Sequence, residues 1–566
     1  MSSIISKYDD DNNIIVTTIN DIDNQINELN IRKQLLQEQM QYNDLSKQAI
    51  LLQESPSLSY LPFDIIKILL LYIYLETRMI LFNTNKHYMK YKHTHFYYSL
   101  NQQISIDYYM NRKGMRDTIN MNVNDPSKQI SLYFNNTSYL NDISVLAGVH
   151  KLSLINCSKI ADVTPLSNVS ILDLSYSKGF SDISTLGSVQ HLSLIDCGRD
   201  KIQDLSSLTN NTKLTISDLR RVKYYPENYW GTCQELDFSN FNIANKTFNT
   251  ADFFLQCSRT NIVRLTNMSD LRSICDWNNQ QLFLSHNSDL QNISELKQGM
   301  VILVIKHCNA LLNVYNILDV QTVLISQCHA LLKLRNFSNI KTLVVHYCVG
   351  LMSLINIKNV ERLELTSLIL FNELVDIINV RSIELKDLNL VDLSALGHPD
   401  ANVQVLKLEN LKLLTSDGIS QLGRIPEIHL DKCPLIDNIS ALKTCTVLSI
   451  LNLPKVVDVS SLGNLNTLTL HSPHNTGTPT FQLAGIVNLG TVEKLTLSNV
   501  NLNNQDLVAL ATVDNLTLTE CGKFTDIRPL SKVKTLNLIR CIDLKSAKAL
   551  VGKVKNLRFV PSYKFM

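Results

Sequence analysis

A motif returns every twenty-odd residues through three quarters of this 566-residue chain, and that period constrains the fold more than any other feature. Residues 149–197, VHKLSLINCSKIADVTPLSNVSILDLSYSKGFSDISTLGSVQHLSLIDC, state it three times. Each statement is Leu-x-Leu, then Cys or Ser three residues on, then Asp-(Ile/Val)-(Ser/Thr)-x-Leu. Leu152, Leu172 and Leu192 lie 20 residues apart. Similar dyads begin near 130, 152, 172, 192, 214, 236, 263, 282, 303, 323, 343, 363, 383, 406, 428, 448, 468, 495, 516, 536 and 557, which makes 21 units. Random apolar clustering does not hold such a spacing over more than 400 residues. A length prior gives roughly 3 to 4 domains, but an array escapes it, because each unit touches only its neighbours.

A strand alternates its side chains, so both dyad residues point inward and the residue between them outward. The mean step of about 21 residues lies inside the 20–29 range of leucine-rich repeats, which these units resemble. The resemblance implies an α/β solenoid, a leucine-rich-repeat horseshoe of about 20 short repeats with a parallel β-sheet on its concave face.

The chain then turns back and buries backbone polar groups that need partners. This accounts for most of the cysteines. Cys157, Cys197, Cys308, Cys328, Cys348, Cys433, Cys521 and Cys541 sit three residues after the second dyad residue, with Asn135, Ser177, Asn287 and Ser562 assigned to the same column. Leucine-rich repeats carry Asn or Cys there. Adjacent units would bring Cys308, Cys328 and Cys348 about 5 Å apart, near disulfide range, with His307, His329 and His346 close in sequence. A reduced ladder is the expectation, and the chain has no Cys-x-x-Cys pair that would suggest a metal site. No cofactor is expected.

A second column holds Asp142, Asp162, Asp182, Asp204, Asp392, Asp458 and Asp526, with Asn292 and Asn438. An Asp or Asn here can cap a short helical turn on the convex side. The following leucines, Leu146, Leu166, Leu186, Leu208, Leu396, Leu442, Leu462 and Leu530, plug the core. One acid per repeat on the outer side is a structural column rather than a catalytic set.

Two steps, 236 to 263 and 468 to 495, are 27 residues long. The first insertion, FSNFNIANKTFNTADFFLQC, is rich in Phe and lies between Trp230 and Trp277, the chain's two tryptophans. Its aromatics fit either a join between sub-arrays or a binding loop. The second, HSPHNTGTPTFQLAG, reads as a polar loop.

Four segments precede or form the array: a tail and helix over 1–57, helices over 58–98, a linker or N-terminal cap over 99–129, and the solenoid over 130–566. Ile19, Ile22, Ile26, Leu29, Leu36 and Met40 follow an a/d heptad within 19–53, interrupted at Lys33 and Asn43. That pattern fits a helix packed on the next segment or self-association as a coiled coil. Residues 57–101 read SLSYLPFDIIKILLLYIYLETRMILFNTNKHYMKYKHTHFYYSLN. Pro62 stands near a helix start, and the apolar residues exceed what one buried stripe requires. Lys67 and Glu76 bracket an eight-residue uncharged window, well short of the ~20 that a spanning helix needs.

Leu61, Pro62, Asp64, Ile65, Ile66, Leu69 and Leu70 resemble the first half of an F-box, and Lys86 and Tyr88 its end, with Asn85 where the family usually has Cys. An F-box before leucine-rich repeats resembles the substrate receptors of Skp1–cullin–F-box ubiquitin ligases. LNDISVLAGVHKLSLINC and FYYSLNQQISIDYYMNRKGMRDTINM are in the style of such proteins from giant viruses of amoebae and some protists. The resemblance implies that Leu61, Pro62, Ile65, Ile66, Leu69, Leu70, Ile73 and Tyr88 dock a Skp1-like protein while the repeats hold a target. A plain N-terminal cap of two apolar helices is the alternative.

The residues between the dyad positions are the candidate target contacts: Ser153, Asp173, Ser193, Asp237, Phe283, Glu364, Glu384, Lys407 and His429. Their mixed charges, with Val304, Leu324 and Val344 among them, suit a protein partner better than a phosphate backbone. A net charge of +2 also argues against nucleic acid or anionic lipid. Residues 1–20 lack a basic stretch followed by an apolar one, so an intracellular, cytoplasmic protein is expected, in a host cytoplasm if viral. No phosphate loop, His-Glu-x-x-His or Gly-x-Ser-x-Gly occurs, and no enzymatic role is expected. A ligase adaptor and a scaffold without ubiquitin machinery remain the two readings.

Overall fold

The computed structural model describes Tyr98–Leu100, Met110, Lys113 and residues 130–560, except 138–139, 199–200, 220–221, 225, 227–229, 231–232, 241–256, 258, 269–270, 276, 297–298, 473–482, 522–523, 525 and 542–547. The heptad segment 19–53, the F-box-like residues Leu61 to Tyr88, Ser562 and most of both insertions lie outside this set. The chain divides into two compact units, 1–157 with 165–173, and 158–164 with 174–566.

In the first unit, Tyr98–Leu100 pairs in parallel with Ile130–Asn135, that strand with Lys151–Ile155, and that with Ile171–Asp173. The strand at 98–100 extends the sheet into the segment read as a linker. Leu132 lies opposite Leu152 and Phe134 opposite Leu154. The first dyad is therefore Leu132–Phe134, both buried, and not a pair beginning at 130. The column position three residues on belongs to Thr137, whose hydroxyl lies 2.9 Å from the Cys157 sulfur. Asn135 is exposed and falls outside the column, because Ile130 is only the strand's start.

The second unit repeats the same step from His191–Ile195 to Asn556–Val560, with every described pairing parallel and in register. The strands show the alternation that the dyads predict: in Thr467–His471 only Leu468 and Leu470 are buried. A fully buried aliphatic side chain contributes about 1.5–3 kcal/mol, and no single unit could bury its dyad without a neighbour.

One column was not legible beforehand. The residue two past the second dyad residue has positive φ from Asn136 to Arg540, with Ser472 the exception. None of these residues is glycine, although the left-handed region costs other residues about 1–2 kcal/mol. The conformation lets the N–H reach the next strand: Asn136 donates to the Ile155 carbonyl, His307 to Ser326 and Asp387 to Glu409, each at 3.0–3.1 Å.

The adjoining cysteine column behaves less uniformly than expected. Cys197 donates to the Leu174 carbonyl at 2.8 Å, and the Asn287 amide to the Leu265 carbonyl at 2.9 Å. Leu219, Met268, Leu368, Leu388, Leu411, Leu453 and Val500 occupy the same column and are buried. Filling the space is thus the shared requirement, and a polar bond is one way of meeting it.

The return segments take two forms. Most of the Asp/Asn column does prepare a turn, the side-chain oxygen accepting from the N–H two residues on: Asp142 from Ser144, Asp182 from Ser184, Asp392 from Ser394, Asn438 from Ser440, Asp458 from Ser460 and Asp526 from Arg528. Asp162 and Asp204 bond Thr164 and Ser206 likewise. These turns lead into 3-10 segments such as Ser440–Leu442 and Ser460–Leu462, whose leucines are buried. Asn292 departs from the expectation. It begins a strand, Asn292–Ser294, and accepts from Asn313 across the rungs.

That strand belongs to a parallel return sheet through Ser273–Cys275, Asn292–Ser294 and Asn313–Leu318. The sheet continues into three 14-residue strands, Lys333–His346, Ser353–Thr366 and Glu373–Lys386. Each long strand turns twice at left-handed residues: Asn336 and Asn339, Asn356 and Asn359, Asp376 and Asn379. Stacked amides tie the corners together. Asn356 donates to Asn336 and Asn336 to Asn316, both at 2.7 Å; Asn379 donates to Asn359 at 2.8 Å and Asn359 to Asn339 at 2.9 Å.

Candidate functional site

The exposed column between the dyads runs through the second unit in strict register. Seven of the nine sequence-predicted contacts lie on it: Ser193, Asp237, Phe283, Glu364, Glu384, Lys407 and His429. Ser153 and Asp173 are register partners in the first unit. Ser153 is buried rather than presented, and its hydroxyl has no hydrogen-bond partner.

The middle of the column is apolar. Phe283, Val304, Leu324 and Val344 follow one another across adjacent strands. Each is half-buried, as expected for side chains standing on a sheet with only neighbours beside them. Ile302 widens this platform from the flanking position.

Charge closes both ends. Before the platform, the Arg264 guanidinium lies 4.8 Å over the Phe283 ring, the geometry of a cation–π contact. Arg264 also pairs with Glu235, which Lys213 approaches at 3.1 Å. Burial would raise the Glu235 carboxyl, but Lys213 and Arg264 outweigh it and hold the group low. Burial raises the Asp237 carboxyl, against the pull of Arg264. Beyond the platform, Glu364 takes His346 and Arg362 at 2.9 Å each, and Arg362 reaches Glu384 at 3.6 Å. Lys407 is exposed, and His429 bonds Glu427 on its own strand at 2.7 Å. The column continues as Ser449, Thr469, Thr496 and Thr517, a run of short hydroxyls.

Residues directly before or after the dyads complete this face and were missed: Glu235, Ile302, His346, Arg362 and Glu427. The alternation that exposes the central residue exposes these as well. The left-handed column carries a further pair, His286 and His307, stacked with ring centroids 4.4 Å apart. Burial first, then His286, His329 and Lys306, holds the His307 imidazole below its usual range.

The cysteines other than Cys275 are shielded from solvent. Burial pushes Cys233 up to about 12 and Cys445 up to about 11. Cys328, hydrogen-bonded between Cys308 and Cys348 and buried, is pushed up as well. A reactive cysteine needs the opposite shift; Cys308, Cys348 and Cys541 are held low by a hydrogen bond to a neighbouring thiol, but all three are buried. The described cysteines are all free thiols, and Cys275 is exposed. Among the described residues, no group of three or more His, Cys, Asp or Glu could hold a metal ion, and no helix is long and apolar enough to cross a membrane.

No protein-family model and no curated protein matches the chain. Solved structures do. A leucine-rich-repeat protein of Leptospira interrogans is 17% identical, covering 70% of this chain and 96% of its own, with a TM-score of 0.27. An internalin of Listeria monocytogenes is 16% identical over 75% of this chain and 88% of its own, with a TM-score of 0.15. The plant peptide hormone receptor RGFR1, solved with RGF2, is 12% identical over 76% and 80%, with a TM-score of 0.22. The parallel register and the repeating burial describe the fold directly: a leucine-rich-repeat solenoid.

Proposed function

We propose that the chain is a protein-recognition receptor that holds a target on its strand face. The observation that carries this is the apolar platform Phe283–Val304–Leu324–Val344, bounded by the Arg264–Glu235 cluster and the Arg362–Glu364–Glu384 cluster. An apolar centre within a charged rim is the anatomy of a protein interface. Phosphate recognition would need unpaired cations, whereas Arg264 and Arg362 are neutralised by acids of the same face.

The finer reading is an adaptor. Residues 58–98, with Leu61, Pro62, Ile65, Ile66, Leu69, Leu70, Ile73 and Tyr88, dock a Skp1-like protein, and the repeats present the target for ubiquitin transfer. This rests on the F-box resemblance. The alternative is a scaffold in which those helices only cap the solenoid or, through 19–53, dimerise it.

The test uses the full chain. Skp1 is captured by wild type and by Leu61→Asp/Ile65→Asp, and partners from a cross-linked lysate are compared between wild type and Leu324→Asp. Skp1 binding lost in the double variant supports the adaptor. A folded wild type that never binds Skp1 overturns it. Partner recovery that ignores Leu324→Asp overturns the strand-face receptor.

A further inference from the structure

The return sheet carries a second surface that the strand-face reading does not use. Leu312, Leu332 and Met352 stand on successive rungs, tied by backbone bonds from Met352 N–H to the Leu332 carbonyl at 2.9 Å and from Leu332 N–H to Leu312 at 3.5 Å. They are 42%, 47% and 43% exposed, and on the next coil Leu370 is 56% exposed. Such an aliphatic stripe is unusual on a solvated face, where clustered apolar exposure marks an interaction site. Elsewhere in the array several return segments leave one aliphatic exposed, such as Val391, Leu413 or Val457. Among the described residues, only along the return sheet do they stack on consecutive rungs without a 3-10 turn between them.

The stripe has a charged border. Lys333 and Arg335 are exposed beside it and, among the described residues, make no ion pair or side-chain hydrogen bond. Their neighbours in register are Asn313 and Ser353 for Lys333, and Tyr315 and Ile355 for Arg335, so no acid on the adjoining rungs neutralises them. Glu373 follows Ser353 in the Lys333 column, two rungs away. The local charge is therefore basic over the middle of the stripe and acidic at one end.

We propose that this surface docks an amphipathic helix of a partner protein, its apolar face on Leu312, Leu332 and Met352 and an acidic edge against Lys333 and Arg335. Rungs about 4.8 Å apart nearly match the 5.4 Å helical pitch, so side chains one turn apart meet successive rungs, the helix-in-groove mode with i and i+4 anchors. A second copy of this chain fits less well. A two-fold interface whose axis crosses the stripe sets identical patches face to face, bringing Lys333 and Arg335 against their own copies. One whose axis runs along the stripe gives them no acid to pair with across the stripe's middle. This surface is independent of the strand face, and its failure would leave that reading untouched.

The experiment titrates the full chain into fluorescent 18-residue helical peptides sharing one leucine stripe, with either glutamates or lysines along its border. The glutamate peptide is expected to bind at least tenfold more tightly. Leu332→Ser/Met352→Ser should abolish binding with the thermal transition unchanged, since both side chains are exposed. Lys333→Glu/Arg335→Glu should reverse the preference, and Leu324→Asp on the strand face should change nothing. Equal binding of both peptides, no binding, a preference that the charge swap does not reverse, or a dimer dissociated by Leu332→Ser/Met352→Ser would overturn the proposal.

Discussion

Residues 292–386 and residues 394–532 are two stretches of one array with the same inner dyads and different return segments. In the later stretch, an Asp or Asn accepts from the N–H two residues on and launches a 3-10 turn whose leucine plugs the core, as in Asp458, Ser460 and Leu462. In the earlier stretch, the return is a strand with left-handed corners, and the plug comes from strand residues such as Phe337 and Ile357, both buried. The difference shows that the dyads fix only one side of each unit. The other side follows whichever local hydrogen bonds close the backbone: an Asx turn inside one unit, or amide ladders between units. The first closes its turn within one coil, with bonds such as Thr444 hydroxyl to the Gly423 carbonyl added between coils, whereas the second is closed by its neighbours.

The contrast should be sharpest in the core. Phe337→Ala should cost about 3–5 kcal/mol and release amide protection across the neighbouring rungs at 314–317 and 354–357. Leu462→Ala, a loss of about 2–5 kcal/mol, should loosen mainly its own coil. Hydrogen exchange of the full chain distinguishes them, and equally local effects would break the comparison.

The corners come next. Asn359 has a φ of 52° and holds amide bonds to both neighbouring rungs. Asn359→Val should cost about 2 kcal/mol, combining left-handed strain with lost hydrogen bonds. Asn359→Gly keeps the conformation accessible and should cost less; equal losses would mean that the ladder, not the φ, matters.

The Asx turns should be acid-sensitive where the bonds between asparagines are not. The Arg528 side chain, then its backbone N–H, holds the Asp526 carboxyl down at about 2. A depressed folded pKa means the contribution is complete above the ordinary carboxylate range and is lost as pH falls through about 2. Carboxyl titration by NMR should show this, and Asp526→Asn should remove the pH dependence of the Arg528 amide. The corners Asn356 and Asn379, which donate to other asparagines, should stay flat over the same range, unlike Asn316 and Asn339, which donate to Glu295 and Asp319.

The smallest effect concerns the thiols. Cys308, Cys328 and Cys348 on the ladder side are fully buried, whereas Cys275 is exposed. A thiol reagent should label Cys275 in the native protein and the buried three only on unfolding, with little change in stability.

Much of this was written in the chain. Alternation at a period near 20 fixes the strands, because side-chain direction within a strand is set by geometry alone. The dyads at 152, 282, 406 and 516 therefore fall on strands in the expected register. So did the Asp turns, because the bond they make spans two residues. The sequence by itself determined the repeat, the inward dyads, the outward central column and the turn-forming acids, all consequences of strand geometry or of bonds within one unit. Only the tertiary structure decided what depends on a neighbour. It moved the first dyad from 130 to Leu132, gave the column place to Thr137 instead of Asn135, and placed Asn292 in a strand rather than a turn. It also let non-glycine residues hold positive φ, by offering each N–H the next strand's carbonyl. Those choices rest on bonds between rungs about 20 residues apart, which local propensity does not encode.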